Sequence, residues 1–157
     1  MSSVEPFTPE RTVEIIAAHA DQDGALLPVL HALQHAFGYV PDAAVPIVAG
    51  ALNLSRADVH GVVTFYHDFR KAPAGRRVLK LCRAEACQAR GGDAIVAEAE
   101  QRLGVAMGGT TSNNQVTLEA IYCLGLCASG PAAMLDEQVV GRIDSQRLEA
   151  LIQEARA

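Results

Sequence analysis

Apolar residues in the first seventy positions recur at the spacing of an α-helix. The clearest case is Leu26, Leu30, Leu33 and Phe37, which are separated by four, three and four positions. This spacing puts the four side chains on one helix face, and Gly38 directly after them is a common helix stop. The pattern therefore predicts an amphipathic helix that ends near residue 37.

A second helix is predicted closer to the N-terminus. Thr8, Pro9 and Glu10 match an N-cap, a first-turn proline and an acid that the helix dipole favours. The apolar face expected for this helix comprises Val13, Ile16 and Ala17.

Two further helices complete the predicted N-terminal bundle. One covers about residues 42–53. The other begins after Ser55, because Asp58 three positions on would complete a capping box, and it extends to about Tyr66. Four short helices with short connections favour an antiparallel bundle.

The pattern changes after the polar segment "RKAPAGRR" at residues 70–77, which is typical of a linker. The runs "RVLKLC" and "QVTLEAIYC" are typical of strands that end at Cys82 and Cys123. The runs "AAMLD" and "QVVGRI" predict a hairpin that turns near residues 136–138.

Helices are predicted in "GGDAIVAEAEQRLG", which ends at Gly104, and after Asp144 or Ser145. The apolar face expected for the last helix comprises Leu148, Leu151, Ile152 and Ala155. The order strand, helix, three strands and helix matches a thioredoxin-like arrangement. We therefore expect an α+β chain with an N-terminal helical domain over residues 1–75 and a thioredoxin-like domain over residues 76–157.

Composition and charge exclude several classes of protein. The 157 residues include 13 Lys and Arg against 18 Asp and Glu, a net charge of −5, and no basic stripe of the kind that nucleic acid requires is visible. The longest apolar stretch, "AAVPIVAGALNL", is short and interrupted by Gly and Pro, and the N-terminus lacks a signal-peptide pattern. We therefore expect a cytoplasmic protein that neither binds nucleic acid nor inserts into a membrane.

Four cysteines provide the candidate chemistry. Cys82 ends the first predicted strand and Cys87 comes five residues later, whereas Cys123 ends the second and Cys127 comes four residues later. Loops at the same end of a sheet can converge, so four thiolates could meet at one metal centre.

Four interpretations of these cysteines stay open from the residues alone. Disulfides are disfavoured in a cytoplasmic chain that is long enough to form a core. Zinc sites commonly use C-x2-C spacing, whereas the gaps here are four and three residues. A [2Fe–2S] cluster accommodates wider loops, because one loop can bind each iron, and it is favoured over zinc and over free thiols.

Residues close to the cysteines have expected structural roles. Gly125 lies inside the second pair, where glycine would let the loop fold back, and Gly91 and Gly92 would let backbone approach the sulfur atoms. Pro131 after Gly130 is a candidate for a cis peptide bond.

Other polar and aromatic residues suggest further sites. Arg83 and Arg90 flank the first cysteine pair and could stabilise an anionic cluster. His31 and His35 share a helix face and could bind a metal, although no third ligand is evident. The run "TFYHDF", residues 64–69, could pack on the bundle, form a docking surface, or do both.

Five motifs taken together resemble one known family. "LLPVLHALQHAFGYVP", "GVVTFYHDF", "LCRAEACQARGG", "LGVAMGGTT" and "YCLGLCASGP" follow one another as in the small thioredoxin-like [2Fe–2S] subunit of NADH-linked complexes. The resemblance extends from about residue 10 to residue 156. Members occur in NADH:quinone oxidoreductase (complex I), in NAD-reducing hydrogenases and in NAD-dependent molybdenum formate dehydrogenases.

The resemblance implies a ligand set and a fold. The family's cluster ligands fall on Cys82, Cys87, Cys123 and Cys127. The family fold is a helical N-terminal domain ahead of a thioredoxin-like [2Fe–2S] ferredoxin domain. One departure is Asn113–Asn114, where relatives usually have Asp-Gly; Asn tolerates positive φ, so we expect the turn to be preserved.

The resemblance also implies a function. "CRAEACQ" and "YCLGLCAS" look most like the gamma subunit of soluble formate dehydrogenase. In such a complex a large partner subunit oxidises formate at a molybdenum cofactor, and further iron–sulfur clusters carry electrons to FMN, which reduces NAD+. This chain would be a non-catalytic electron-transfer subunit whose cluster exchanges electrons with, or tunes, the FMN of a directly contacting FMN/NAD-binding subunit. The alternatives are the equivalent subunit of NADH:quinone oxidoreductase or NAD-reducing hydrogenase, and a stand-alone thioredoxin-like ferredoxin.

Overall fold

The computed structural model of the protein describes residues 4–157. Packing divides the chain into two compact units, one that ends at Pro73 and one that begins at Ala74. This division falls in the polar segment at residues 70–77, as does the boundary expected from the sequence. No helix in the described part of the chain is long and apolar enough to cross a membrane.

The N-terminal unit contains four α-helices within its described residues. They are α1 (Pro9–Ala17), α2 (Leu26–Phe37), α3 (Val45–Ala51) and α4 (Arg56–Phe65). The third is shorter than predicted, because a 3-10 turn at Asp42–Ala44 precedes it. Pro46 in its first turn favours a helix start there, since proline has no N–H to leave unbonded.

Side chains cap the helices where the sequence predicted. The Thr8 hydroxyl accepts a hydrogen bond from the N–H of Arg11 at 3.2 Å. Ser55 and Asp58 form both hydrogen bonds of a capping box. Gly38 ends α2 with φ +78°. These contacts satisfy backbone groups that a helix end leaves without partners.

An apolar core lies among these helices. Its fully buried members include Val29, Leu30, Leu33, Phe37, Val48 and Val59. The predicted face of α1 is wrong in part, because Val13 and Ala17 are exposed whereas Ile16 is buried as expected. Thr12 and Ile15 lie on the buried side instead. The Thr12 hydroxyl donates to the Thr8 carbonyl oxygen at 2.9 Å, so this buried polar group keeps a hydrogen-bond partner.

A mixed sheet of four strands forms the centre of the C-terminal unit. Its strands are β1 (Arg77–Cys82), β2 (Val116–Ile121), β3 (Ala133–Leu135) and β4 (Gln138–Val140), in the order β2-β1-β3-β4. Strands β1 and β2 are parallel, whereas β3 is antiparallel to both β1 and β4. The parallel pair requires a crossover connection, which contains helix α6 (Gly92–Leu103).

Helices α6 and α7 (Ser145–Arg156) share one core with the sheet. Its fully buried members include Leu79, Ala99, Leu118, Leu135, Leu148 and Ile152. All four residues of the apolar face predicted for α7 are buried. The Asp144 carboxylate caps α7 by accepting a hydrogen bond from the N–H of Arg147 at 2.8 Å.

The C-terminal unit differs from the sequence prediction near the cysteines, and β4 (Gln138–Val140) covers only the first half of the predicted strand "QVVGRI". Strand β2 ends at Ile121, two residues before Cys123, and a short helix, α5 (Glu85–Gln88), lies between the first two cysteines. A helix of four residues is too short to show a periodic pattern. Two other predictions are confirmed: Asn114 has φ +54°, and the Gly130–Pro131 peptide bond is cis.

Candidate metal centre

The two cysteine loops leave the sheet from neighbouring strand ends. Cys82 is the last residue of β1, and its register partner on the parallel strand β2 is Ile121. Because the carboxyl ends of parallel neighbours lie side by side, the segments that carry Cys87 and Cys123 start close together. The two cysteine loops therefore leave the sheet from the same edge.

The first loop is built on regular secondary structure and is buried. Cys82 lies in β1 and Cys87 lies in α5, whose first turn is closed by the Cys87 N–H bonded to the Ala84 carbonyl oxygen at 2.9 Å. Both cysteines are buried. The apolar residues packed around them are Ala84, Ile121, Leu124, Leu126 and Ala132.

The second loop is irregular and exposed. Cys123 and Cys127 are both exposed, and their Sγ atoms lie 3.6 Å apart. Cys127 begins a 3-10 turn, Cys127–Ser129. None of the four cysteines forms a disulfide bond.

The backbone of the second loop is left-handed at two positions. Gly125 has φ +76°, which glycine adopts without steric cost, as its predicted role in folding the loop back requires. Cys123 has φ +79°, and a non-glycine residue in this region costs roughly 1–2 kcal/mol. Such conformations occur preferentially at functional sites, where surrounding contacts maintain them. No sequence pattern indicates this conformation of Cys123.

Hydrogen bonds from both loops reach the sulfur of Cys82. Burial opposes ionisation of this thiol, but hydrogen bonds outweigh it and lower the pKa of Cys82 below the ordinary value. The donors are the backbone N–H groups of Ala84, Cys123 and Leu124 together with the thiol of Cys87. Two of these N–H groups belong to the second loop, so both loops contribute to the lowered pKa of Cys82.

The pKa values of two other cysteines shift in the opposite direction. Burial and the hydrogen bond with Cys82 raise the pKa of Cys87. The hydrogen bond with Cys123 and the charge of that neighbour raise the pKa of Cys127. Within the first pair, Cys82 therefore loses its proton more readily than Cys87.

Two glycines let backbone approach Cys87 closely. A Cβ atom at Gly92 would lie 2.7 Å from the Cys87 carbonyl oxygen, which excludes a side chain at that position. Gly92 therefore lies against the carbonyl of Cys87, whereas the sequence predicted an approach to the sulfur. A Cβ atom at Gly130 would lie 3.3 Å from the Cys87 Sγ, a role for Gly130 that sequence reasoning missed.

The two arginines beside the first pair have different surroundings. Arg83 Nε is buried without a hydrogen-bond partner among the described residues, and Arg83 Nη2 lies 3.8 Å from a carboxylate oxygen of Asp93. Arg90 Nε donates to the carbonyl oxygen of Gly130 at 3.0 Å. A buried N–H without an acceptor costs about 1–3 kcal/mol, so an anionic acceptor beside Arg83 would be stabilised.

The other candidate sites lie in the N-terminal unit. His31 and His35 on α2 are exposed, and the His31 ring packs against Phe69 with 4.9 Å between ring centroids. Phe65 and Tyr66 form an exposed aromatic pair at the C-terminal end of α4, with 5.1 Å between their centroids. Among residues 4–157, no group of three or more His, Cys, Asp or Glu side chains is arranged to hold a metal ion. The cysteines approach one another as two pairs, Cys82 with Cys87 and Cys123 with Cys127.

Comparison with known proteins assigns the chain to a family. The family model for the thioredoxin-like [2Fe-2S] ferredoxin matches residues 12–156. The chain belongs to this family. Membership confirms the resemblance seen in the five motifs and agrees with the α+β fold of the helices and the mixed sheet.

Two relatives cover most of the chain. The NADH-quinone oxidoreductase of Pseudomonas aeruginosa has a subunit that is 32% identical over 135 residues, which span 86% of this chain and 81% of that protein. The HndA subunit of the NADP-reducing hydrogenase of Solidesulfovibrio fructosivorans is 30% identical over 142 residues, which span 90% of this chain and 83% of that protein.

A solved structure supports the fold. The NAD+-reducing [NiFe]-hydrogenase in its H2-reduced state contains a region that superimposes with a TM-score of 0.69 at 23% sequence identity. The match covers 83% of this chain and 22% of the hydrogenase chain. This thioredoxin-like ferredoxin therefore shares its fold with one segment of a much longer polypeptide.

Proposed function

We propose that Cys82, Cys87, Cys123 and Cys127 bind one [2Fe–2S] cluster, and that the protein is an electron-transfer subunit of an NAD-linked oxidoreductase complex. The observation that carries this proposal is that the two cysteine loops leave adjacent ends of parallel strands at one sheet edge, where apolar residues of the second loop pack around the buried first pair. Each loop would supply two thiolates to one iron.

The residues present fit such a cluster. With a metal–sulfur bond of about 2.3 Å, two thiolates on one tetrahedral metal lie about 3.8 Å apart. The Sγ atoms of Cys123 and Cys127 are 3.6 Å apart, so this pair needs little movement to act as ligands. The unpartnered Nε of Arg83 offers a donor in the residue next to Cys82.

A bound [2Fe–2S] cluster supplies one-electron transfer, and the chain controls the surroundings in which it occurs. The N–H groups directed at Cys82 stabilise its thiolate form. The apolar side chains around the first pair limit access of water to the buried sulfur atoms. These residues therefore bind and shield, and none of them is assigned a proton-transfer step.

The exposed pair offers a route for electrons to a partner. Cys123 and Cys127 are exposed whereas Cys82 and Cys87 are buried, and Tyr122 beside Cys123 is 67% exposed. A redox partner can approach a cluster most closely from the side where its ligands reach the surface. We assign this side to direct contact with an FMN/NAD-binding subunit, whose flavin would exchange electrons with the cluster or be tuned by it.

The parent complex we favour is a cytoplasmic NAD-dependent formate dehydrogenase with a molybdenum-containing catalytic subunit. Support comes from the motifs "CRAEACQ" and "YCLGLCAS", which resemble the gamma subunit of that enzyme. The names of the relatives make NADH-quinone oxidoreductase or an NAD(P)-reducing hydrogenase the alternative.

Metal analysis tests the cluster. The full chain, purified without oxygen and supplied with iron and sulfide, should hold both in equal amounts and give the absorption and EPR spectra of a [2Fe–2S] centre. Zinc as the main occupant, or a chain that retains neither iron nor sulfide, would refute the proposal.

Isolation of the native complex tests the parent enzyme. An affinity tag on this chain should bring down a flavoprotein and a molybdenum protein, and the preparation should reduce NAD+ with formate. Nickel with hydrogen-dependent reduction of NAD+, or NADH oxidation coupled to a quinone, would assign the chain to the alternative complexes instead.

A further inference from the structure

We propose that Arg90 is a positioning residue that holds the backbone after the second cysteine loop against Cys87 and thereby tunes the cluster. The inference rests on the proposed function, because the tuned group is the [2Fe–2S] cluster. It assigns a role to a side chain that is not itself a ligand.

Arg90 connects two segments that are far apart in the sequence. Its backbone N–H bonds to the Cys87 carbonyl oxygen at 3.2 Å, which ties it to the first loop. Its Nε donates to the Gly130 carbonyl oxygen at 3.0 Å, across a separation of 40 positions. The side chain therefore bridges the end of α5 and the segment that follows Cys127.

Three groups of the candidate centre meet at Gly130. A Cβ atom placed there would lie 3.3 Å from the Cys87 Sγ, 3.4 Å from the Arg90 Cδ and 3.5 Å from the Cys127 carbonyl oxygen. The Gly130 N–H also bonds to that Cys127 carbonyl oxygen at 3.3 Å. Gly130 is thus the point at which Arg90 can control the distance between the two loops.

The segment held by Arg90 packs against the first cysteine pair. Ala132, two residues after Gly130, lies in one buried cluster with Cys82 and Cys87, and its carbonyl oxygen accepts a hydrogen bond from the Cys82 N–H at 2.9 Å. The backbone of this segment therefore forms part of the surroundings of the ligand sulfur atoms. A donor on a ligand sulfur stabilises the more negative, reduced form of a cluster and so raises its reduction potential. Loss of the Arg90 contact should let this segment move away and lower the potential.

The positive charge of Arg90 could by itself also change the reduction potential of the cluster. Two substitutions at Arg90 distinguish this charge effect from positioning. Arg90 is exposed, so solvent and salt screen its positive charge. Arg90→Gln removes both the charge and the fixed N–H donor. Arg90→Lys keeps the charge but lacks the planar group that reaches the carbonyl oxygen.

The experiment measures the midpoint potential of the full chain by EPR-monitored titration, with iron and sulfide content and circular dichroism measured alongside. We expect both variants to lower the ratio of reduced to oxidised cluster at a fixed potential by about 3- to 10-fold, where tenfold corresponds to about 59 mV for one electron. Gly130→Ala, which crowds the Cys87 sulfur, should shift the potential in the same direction. Arg156→Gln is the matched control, because Arg156 also donates to a backbone carbonyl oxygen, that of Arg102, at 2.7 Å.

Each outcome decides the inference. A wild-type potential in Arg90→Lys with a lowered one in Arg90→Gln would show a charge effect and overturn positioning. Wild-type potentials in both, or an equal shift in the Arg156→Gln control, would overturn it as well. If the wild-type chain binds no [2Fe–2S] cluster, the proposed function itself fails, which is distinguishable from these results.

Discussion

The two cysteine loops differ in how the chain holds them. Cys82 and Cys87 lie in a strand and a helix, are buried, and pack against apolar residues. Cys123 and Cys127 lie in irregular backbone and are exposed, and the turn between them depends on left-handed residues. The first loop is therefore held by regular secondary structure and by buried apolar neighbours, whereas the second depends on its own backbone geometry and on contacts with the first.

This difference suggests a division of roles. A buried pair of ligands anchors a cluster, because its surroundings are fixed by packing. An exposed pair provides the approach for a partner and can rearrange at lower cost. The following experiments compare the two loops directly, beginning with the largest expected effect.

Replacing a proposed ligand in each loop gives the largest contrast. We expect Cys82→Ser to weaken cluster binding by more than about 100-fold, since loss of a single supporting hydrogen bond at a metal site already costs about 10–100-fold. Cys127→Ser should cost less, because solvent can approach this exposed position. Iron and sulfide content with EPR spectra measure both. An unchanged [2Fe–2S] spectrum in either variant would remove that cysteine from the ligand set, and equal losses would remove the contrast between the loops.

A glycine in each loop tests the backbone. Gly125 and Gly91 have φ +76° and +88°, and a Cβ atom would meet open space at either position. Alanine should therefore lower the free energy of unfolding of the C-terminal unit by roughly 1–2 kcal/mol in both variants, as measured in urea. Only Gly125→Ala should also reduce cluster content, because Gly125 lies between two proposed ligands. Reduced content in both variants, or in neither, would argue against a special geometry in the second loop.

The smallest expected effect is a pH dependence from the first loop. The folded-state pKa of Cys82 is lowered, so the folded chain binds fewer protons than the unfolded chain just below the ordinary thiol pKa of about 8.5. The free energy of unfolding of chelator-treated protein should rise with pH in this window. The stabilisation that ionised Cys82 contributes should be lost as pH falls through its folded-state pKa. Urea unfolding at several pH values measures it, and Cys82→Ser should abolish the rise.

Cys87, in the same loop, should give a pH dependence of stability with the opposite sign. Its folded-state pKa is raised, so its contribution to stability is present below the ordinary thiol pKa and is lost as pH rises above it. Cys87→Ser should therefore remove a decrease in stability at high pH. A rise in stability across that range in the wild-type chain would contradict the assigned shift.

Elements with strong local signals could be predicted from the sequence. The residues of α2 repeat at helical spacing before a glycine, Ser55 and Asp58 form a capping box, and "RVLKLC" forms β1 with the predicted bounds. Each of these signals lies within a few positions of the element that it specifies. The exposed Val13 shows the limit, because a helix of nine residues can bury more than one plausible face and packing decides between them.

The candidate site could be predicted only as a set of residues. The four cysteines and the turn at Gly125 were evident from residue type and spacing. The left-handed backbone of Cys123, the close approach of Gly130 to Cys87 and the bond from Arg90 to Gly130 were not. Each of these depends on where other segments lie, and no local pattern records that.

The sequence by itself determined the order of the longer helices and of the strands, the caps, and the positions of four cysteines at or after the ends of two strands. These features follow from hydrogen bonds and side-chain spacing over a few residues. Only the tertiary structure decided which cysteine pair is buried, which thiol has a lowered pKa, and that Arg90 contacts a carbonyl 40 positions away. The physical reason is that burial, electrostatic stabilisation and long-range hydrogen bonds arise from all the neighbours packed around a group, and those neighbours come from distant parts of the chain.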